Sequence, residues 1–400
     1  MQWPAKRMAT QSGKSFGMYE TAAALAADGA DIIRLEVGRP SMDTPAHIKA
    51  AAKQALDDGI VHYGDLQGTL ALREALAEKL ARHNGLQFSP EEILVTNGLT
   101  QACFATFMAG LNEGDEVIVF EPFYPQHNPK IALVGGRVVT VPLDKSSGFH
   151  LDAAALAAAL TERTRMIVLI NPANPVGTVF SRDELLAIAD IAQAHDLLVV
   201  TDEVYDYITY DGRAHISIAS LPGMRERTIT LGAFTKAYAM DGWRIGYAAA
   251  EPRFIQELMR VTLNETTHPC VFAQEGAREA AAGSQDCVRE MLAEDQRRRD
   301  LVCARLNAMP KVHCHVPEGS IYAFPDFSRY GLPSEELAMI FLHETHVATE
   351  AGAFYGSSGE GHLRICFGAA SDERLEEAMD RLQALLEQHG PGLADLTPGR

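Results

Sequence analysis

Short apolar runs recur along the chain, each closed by glycine, proline or a polar residue, and longer stretches with helical spacing lie between them. Ile93 to Thr96, Val117 to Phe120, Val138 to Val141, Met166 to Ile170, Leu197 to Thr201, Thr228 to Leu231 and Ile245 to Ala249 read as buried strands. Ile32 to Val37 reads as another, ending at Gly38-Arg39-Pro40. Helices are expected over Tyr19 to Asp28, Thr44 to Asp58 with Pro45 at the first position, and Leu70 to Asn84 closed by Gly85. Leu99 to Ala109, Arg182 to His195 and the long charged stretch Gln285 to Asn307 are also expected to be helical. Pro122, Pro125 and Pro129 read as breaking the chain after the strand that ends at Phe120. This alternation predicts an α/β fold, a mostly parallel sheet with helices on both faces. A smaller α+β lobe follows it. The expected division is an N-terminal arm and part of the small domain over 1–45, a large domain over 46–295 and a C-terminal small domain over 296–400, with Gln285 to Asn307 as a bridge. Pro391 to Arg400 reads as a frayed tail.

Composition narrows the partners. A chain of 400 residues with 47% hydrophobic positions is long enough for two such domains. A formal net charge of −18 argues against nucleic acid and anionic membrane as partners. No run approaches the length of a membrane span, and Met1 to Arg7 lacks the apolar core of a signal peptide. Cys103, Cys270, Cys287, Cys303, Cys314 and Cys366 are scattered without a CxxC pair, as expected of reduced packing thiols in a cytoplasmic protein. In His313-Cys314-His315, strand alternation puts both histidines on one face and the cysteine on the other, with no fourth ligand evident, so no metal is expected.

The chemistry concentrates in three segments. Leu231-Gly-Ala-Phe-Thr-Lys236-Ala-Tyr-Ala-Met-Asp-Gly-Trp-Arg244 sets one lysine among small and apolar neighbours. Burial disfavours the charged amine, and a neutral amine is what Schiff-base chemistry needs. Arg244 is suited to hold a phosphate by bidentate charged hydrogen bonds. The plainer alternative is a surface lysine and an arginine paired to a carboxylate. Asn171-Pro-Ala-Asn174-Pro-Val-Gly177 follows a buried strand, and Val199-Val-Thr-Asp202-Glu-Val-Tyr205 ends another in a carboxylate. An aspartate so placed is suited to pair with a protonated pyridine nitrogen, although strand-end aspartates are usually caps.

With these motifs in this order, the chain resembles the class I/II aminotransferases, pyridoxal phosphate enzymes of fold type I, and within them the aspartate and aromatic branch. The resemblance runs from about Asp31 to about Leu385. It implies that the large domain binds pyridoxal phosphate, with Lys236 on the cofactor aldehyde and Asp202 on the ring nitrogen. It implies that Asn174 and Tyr205 bond the phenolic oxygen, and that Tyr124 (Phe123 being the other candidate) stacks on the ring. The amides of Gly98, Leu99 and Thr100, together with Arg244, then hold the phosphate. Tyr63 matches a tyrosine reaching that phosphate from a neighbouring subunit, which implies a homodimer. Arg364, with Asn174 and Gly38, matches the site for the substrate carboxylate.

The chain departs from the family pattern in places. Ala233 stands where a phosphate-binding serine is usual, leaving Thr235 or Thr100 to replace it. Arg39 either holds an acidic substrate side chain or pairs with Glu36 or Asp43. Val347-Ala-Thr-Glu-Ala-Gly352 replaces a Val-Thr-Pro-Gly segment, so the pocket wall is expected to differ. The resemblance implies ping-pong transfer of an amino group from an L-amino acid to a 2-oxo acid, 2-oxoglutarate or pyruvate, with Lys236 as proton carrier. Two alternatives share the early chemistry or the fold: a C–S β-lyase, and a non-catalytic pyridoxal phosphate-binding regulator.

Overall fold

A seven-stranded sheet runs through the middle of the chain. The computed structural model describes residues 3–10 and 17–396. Strand β1 (Ile33–Arg34) stands apart from the sheet, which is built from β2 (Ile93–Thr96), β3 (Glu116–Glu121), β4 (Arg137–Pro142), β5 (Thr164–Ile170), β6 (Leu198–Asp202), β7 (Thr228–Ala233) and β8 (Gly246–Ala249). Their order is β2-β8-β7-β6-β5-β3-β4. The pairings made by β8 are antiparallel and the others parallel. Buried residues alternate between two faces. Val117, Val119, Met166 and Val168 belong to one apolar cluster, Ile118, Phe120, Ile167 and Leu169 to another. A sheet covered on both sides needs such continuous apolar strands.

The helices are α1 (Tyr19–Ala27), α2 (Ala46–Asp57), α3 (Leu70–Lys79), α4 (Leu99–Gly110), α5 (His127–Leu133), α6 (Ala153–Ala158) and α7 (Arg182–Ala194), then α8 (Pro252–Glu265), α9 (Val271–Ala282), α10 (Asp286–Ala308), α11 (Ser334–Thr345) and α12 (Asp372–His389). Local chemistry fixes their ends. Ser181 Oγ accepts from Glu184 N at 3.3 Å while the Glu184 carboxylate accepts from Ser181 N at 2.7 Å, a capping box at the start of α7. The remaining strands, β9 (Tyr322–Ala323), β10 (Val347–Ala348), β11 (Glu350–Ala351) and β12 (Leu363–Cys366), belong to the C-terminal lobe. There β1 pairs with β10, and Met18, Ala22, Ile33 and Leu35 pack in one core with Phe341 and Leu382. No helix among the described residues is long and apolar enough to cross a membrane.

Several expectations need correction. The stretch from Pro122 to Pro129 is not all loop, because α5 begins at His127. Pro129 sits in its first turn, where backbone N–H groups have no helical partner to lose. The helix expected over Leu70 to Asn84 is regular only to Lys79, and Leu80–Asn84 is a π-turn ending at Gly85 with φ +68°. The wider turn brings Asn84 Oδ1 within 2.9 Å of the buried Lys79 Nζ. The strand expected over Ile32 to Val37 shrinks to Ile33–Arg34, since the Glu36 carbonyl accepts from the Arg364 guanidinium instead of a neighbouring strand. Pro45 caps α2 rather than opening it. In the expected tail, Gly390–Asp395 forms a short 3-10 helix with Leu393 buried, and 397–400 lie outside the described residues, as do Met1 and Gln2.

Candidate active site

The carboxyl ends of β2, β3, β5, β6 and β7 open into one cavity of about 420 Å³, roofed by residues of the C-terminal lobe. Ligands in open α/β sheets bind at these strand ends. Gly98, Leu99 and Thr100 follow β2, Tyr124 follows β3, Asn174 follows β5, Asp202 ends β6, and Lys236 and Arg244 follow β7. Apart from Gly98, whose neighbours line it, each of these reaches the cavity, together with Gly38, Tyr205 and Arg364.

Lys236 Nζ donates to the Gly38 carbonyl and lies 6.0 Å from the Tyr205 ring centroid. Burial of the amine lowers its pKa to about 8 from the usual lysine value, against the opposing pull of Cys366 and Asp241. Gly38 leaves no space for a side chain, since a Cβ would run into the Tyr322 hydroxyl. The Tyr205 and Tyr322 hydroxyls are hydrogen bonded at 2.8 Å, and burial raises both phenols. Asp202 is buried, with Oδ1 accepting from Val204 N at 3.2 Å.

Gly98, at φ +80°, caps α4. A Cβ there would stand 2.6 Å from Arg244 Nη2, so glycine is what lets the guanidinium lie against the helix end. Arg244, itself at φ +56°, is held by its Nη1 donating to the Asp241 carbonyl at 2.7 Å. The Gly98 N–H donates to the Thr96 carbonyl at 2.8 Å, which leaves the Leu99 and Thr100 N–H groups at the start of α4, beside the Arg244 guanidinium, as an anion cradle. Thr100 and Thr235 both line the cavity, so hydroxyls are at hand although Ala233 offers none.

Arg364 is buried on β12. Its Nη1 donates to Asn174 Oδ1 at 3.2 Å, its guanidinium lies 4.5 Å from the Tyr322 ring and 5.2 Å from the Tyr355 ring, and its Nε has no hydrogen-bond partner among the described residues. A buried, unfilled guanidinium donor invites a carboxylate.

Two expected residues lie elsewhere. Tyr63 is 91% exposed and does not line this cavity. It packs edge-on against His268 at 5.1 Å, beside exposed Val61 and Phe272. Arg39 is exposed and outside the cavity, and pairs with neither expected acid: Glu36 is held by Arg34, and Asp43 by Lys49. Between Phe123 and Tyr124, it is Tyr124 that lines the cavity. The His313 and His315 rings pack edge-on with centroids 4.7 Å apart, while Cys314 turns inward to Cys303 at 4.0 Å.

Sequence reasoning missed several groups. His127 lies behind Asp202, with Nε2 at 3.5 Å from its Oδ2, Nδ1 at 3.2 Å from Cys103 Sγ, and the Tyr124 ring at 5.2 Å. The proline-rich setting hid it, though its spacing from Tyr124 is that of neighbours on a helix face. Tyr322 and Tyr355 also line the cavity. Glu36 and Glu350 are buried acids that line the cavity.

Comparison with known proteins shows the family. A family profile described as aminotransferase class I and II matches residues 30–382. An aspartate aminotransferase of Pyrococcus abyssi is 42% identical over 369 residues, 91% of this chain and 94% of that one. The aromatic-amino-acid aminotransferase 2 of Thermococcus litoralis is 41% identical over 89% of this chain and 92% of its own length. The crystal structure of an aromatic aminotransferase from Pyrococcus horikoshii superposes with a TM-score of 0.88 at 40% identity, covering 92% of this chain and 99% of that one. The chain therefore belongs to the class I and II aminotransferases, enzymes that move amino groups between amino acids and oxo acids.

Proposed function

We propose that this aminotransferase holds pyridoxal phosphate over Lys236 and grips the carboxylate of its amino acid substrate with Arg364. The observation that carries the reading is Lys236 itself, a buried amine with its pKa lowered to about 8, sharing one cavity with Asp202, the anion cradle and Arg364. The residues suit the cofactor. The N–H groups of Leu99 and Thr100 with Arg244 match a phosphate, with Gly98 leaving room for the guanidinium, Tyr124 offers a ring to stack on the pyridine, and Asn174 and Tyr205 offer donors for a phenolic oxygen. Asp202 offers the anion that keeps a pyridine nitrogen protonated, and His127 holds that anion in place. Bound pyridoxal phosphate supplies an aldehyde that condenses with amines and a ring that takes up the electron pair of the substrate α-carbon.

The chain's own groups do the rest. Arg364 and Asn174 orient the substrate by its carboxylate, so that the α-carbon faces Lys236. The Lys236 amine takes the proton from that carbon and returns it on the other side of the transfer. The buried aromatic walls from Tyr205, Tyr322 and Tyr355 exclude water and strengthen the charged contacts. Two half-reactions in turn give a ping-pong cycle, with 2-oxoglutarate or pyruvate as acceptor. The relatives' names support an α-amino acid donor without choosing its side chain.

We place Tyr63 in the site of a neighbouring copy, in a homodimer. Its exposure beside Val61 and Phe272 supports this. The proposed division is 1–45, 46–295 and 296–400. Six free thiols support a cytoplasmic setting. A half-reaction screen tests the function: purified holoenzyme is mixed with single amino acids and the cofactor absorption is followed. Conversion without added oxo acid, with one oxo acid formed per site, is expected. Pyruvate and ammonia released catalytically without an acceptor would assign β-elimination instead.

A further inference from the structure

We propose that the buried Lys79–Asp206 ion pair is a positioning device for the reacting groups, holding from behind the loops that carry Asp202, Tyr205 and Lys236. The inference rests on reading those three residues as contacts of the cofactor. Lys79 Nζ donates to Asp206 Oδ2, and both residues are buried although neither lines the cavity. Burial works against both charges, but Asp206 holds the amine above the usual lysine range and Lys79 holds the carboxyl below the usual carboxylate range. Apolar side chains of similar volume often serve stability as well as a buried ion pair does, so stability alone gives no reason for this one.

The pair grips the turn after β6. Asp206 N donates to the Glu203 carbonyl at 3.1 Å, and Glu203 N donates to the Leu231 carbonyl of β7 at 2.9 Å. Asn84, brought inward by the π-turn, joins the two acids. Its Nδ2 donates to Glu203 Oε2 and to Asp206 Oδ2, each at 3.1 Å, while its Oδ1 accepts from Lys79 Nζ. Ser217 Oγ donates to Glu203 Oε1 at 2.6 Å, and His215 Nε2 lies 3.0 Å from Oε2. Glu203 and Asp206 are thereby pinned on the same turn whose other members, Asp202, Val204 and Tyr205, line the cavity.

The same pair reaches the next two strands. Lys79 Nζ lies 5.0 Å from the centroid of the Tyr207 ring, which meets the Tyr238 ring edge-on at 5.9 Å. Tyr238 and Phe234, with ring centroids 5.8 Å apart, stand two residues to either side of Lys236. On β8, the Tyr247 hydroxyl is 3.4 Å from Lys79 Nζ. A Cβ on the adjoining Gly246 would meet Leu99 N at 2.6 Å, so β8 lies directly against the anion cradle. A shift of the pair is therefore felt at the pyridine partner, the lysine and the phosphate site together. Misplacing reacting groups by about 1 Å costs up to about 100-fold in rate.

Lys79→Met combined with Asp206→Leu replaces the pair by apolar side chains. The melting temperature of this double variant should stay within a few degrees of wild type. In its holoenzyme, the single-turnover rate of the amino acid half-reaction should fall by about tenfold or more, while the dissociation constant of the amino acid changes by less than about twofold, because Arg364 and Asn174 are untouched. Visible circular dichroism of bound pyridoxal phosphate, read without substrate, should change in amplitude. Asn84→Ala keeps the pair and removes its bridge to Glu203, so it should move rate and dichroism in the same direction by less. Wild-type rate and dichroism in the folded double variant, or in Asn84→Ala should the double variant not fold, overturn the proposal. So does a loss of rate that only follows the loss of folded protein. Borohydride labelling keeps the two readings apart. A label on Lys236 in wild type upholds the site whatever the variants do, and a label elsewhere removes the site reading and this proposal with it.

Discussion

His127 Nε2 lies 3.5 Å from Asp202 Oδ2, and both groups are buried. Burial works against a charged imidazole, but Cys103 and the Asp202 carboxylate outweigh it and raise His127 to about 9. The raised pKa favours the imidazolium beside the Asp202 carboxylate.

Replacing that ring should act through Asp202. His127→Gln should lower kcat by about 10–100-fold, the range for a partner that orients a working group, and should shift the pH dependence of kcat. A purely structural role would lower thermal stability and leave the pH profile where it was. The linked stability effect has a definite sign. A histidine raised from its unfolded value stabilises fully below about 6.5, and that contribution is lost as pH rises through about 9. The difference in melting temperature between wild type and His127→Gln should shrink over that window.

Lys236 titrates in the opposite sense. Its pKa, lowered to about 8, leaves the amine neutral above that pH. Capture of pyridoxal phosphate by the apoprotein should accelerate through pH 8, measured as the rate of absorption change after mixing. An inflection near the ordinary lysine value of about 10.4 would mean that the amine is not desolvated. The unfolded chain binds this proton more tightly, so the group's contribution to stability rises between about 8 and the unfolded value.

Gly98→Ala should weaken the cofactor site through Arg244. The added Cβ would meet Nη2 at 2.6 Å and sit on a backbone at φ +80°. Displacing a guanidinium from a phosphate removes charge-assisted hydrogen bonds. Affinity for pyridoxal phosphate should fall by about tenfold or more, read by dialysis against limiting cofactor, with the melting temperature of the apoprotein moved far less. Unchanged affinity would place the phosphate elsewhere.

Much of this was legible in the chain, for physical reasons. The strands β3, β5 and β6 announce themselves because a sheet buried on both faces needs unbroken apolar runs. The loops after them carry asparagine, proline, glycine and aspartate at the strand ends where ligands bind, so Asn174, Asp202 and Lys236 stood out and do share a cavity. His127 did not, because three prolines around it suggested a broken chain and first-turn tolerance of Pro129 is invisible to composition. Tyr322, Glu36 and Glu350 reach the cavity from the C-terminal lobe and from the turn after β1. Their meeting depends on long-range pairing such as β1 with β10, and local periodicity says nothing of it.

The central claim is that Lys236 is the residue joined to the cofactor aldehyde. Borohydride reduction of the holoenzyme fixes that bond, and peptide mapping by mass spectrometry locates it. The account predicts the reduced pyridoxyl phosphate label on the peptide containing Phe234-Thr235-Lys236-Ala237, and no stoichiometric label in Lys236→Ala. A label on any other lysine, or full turnover by Lys236→Ala, would contradict it.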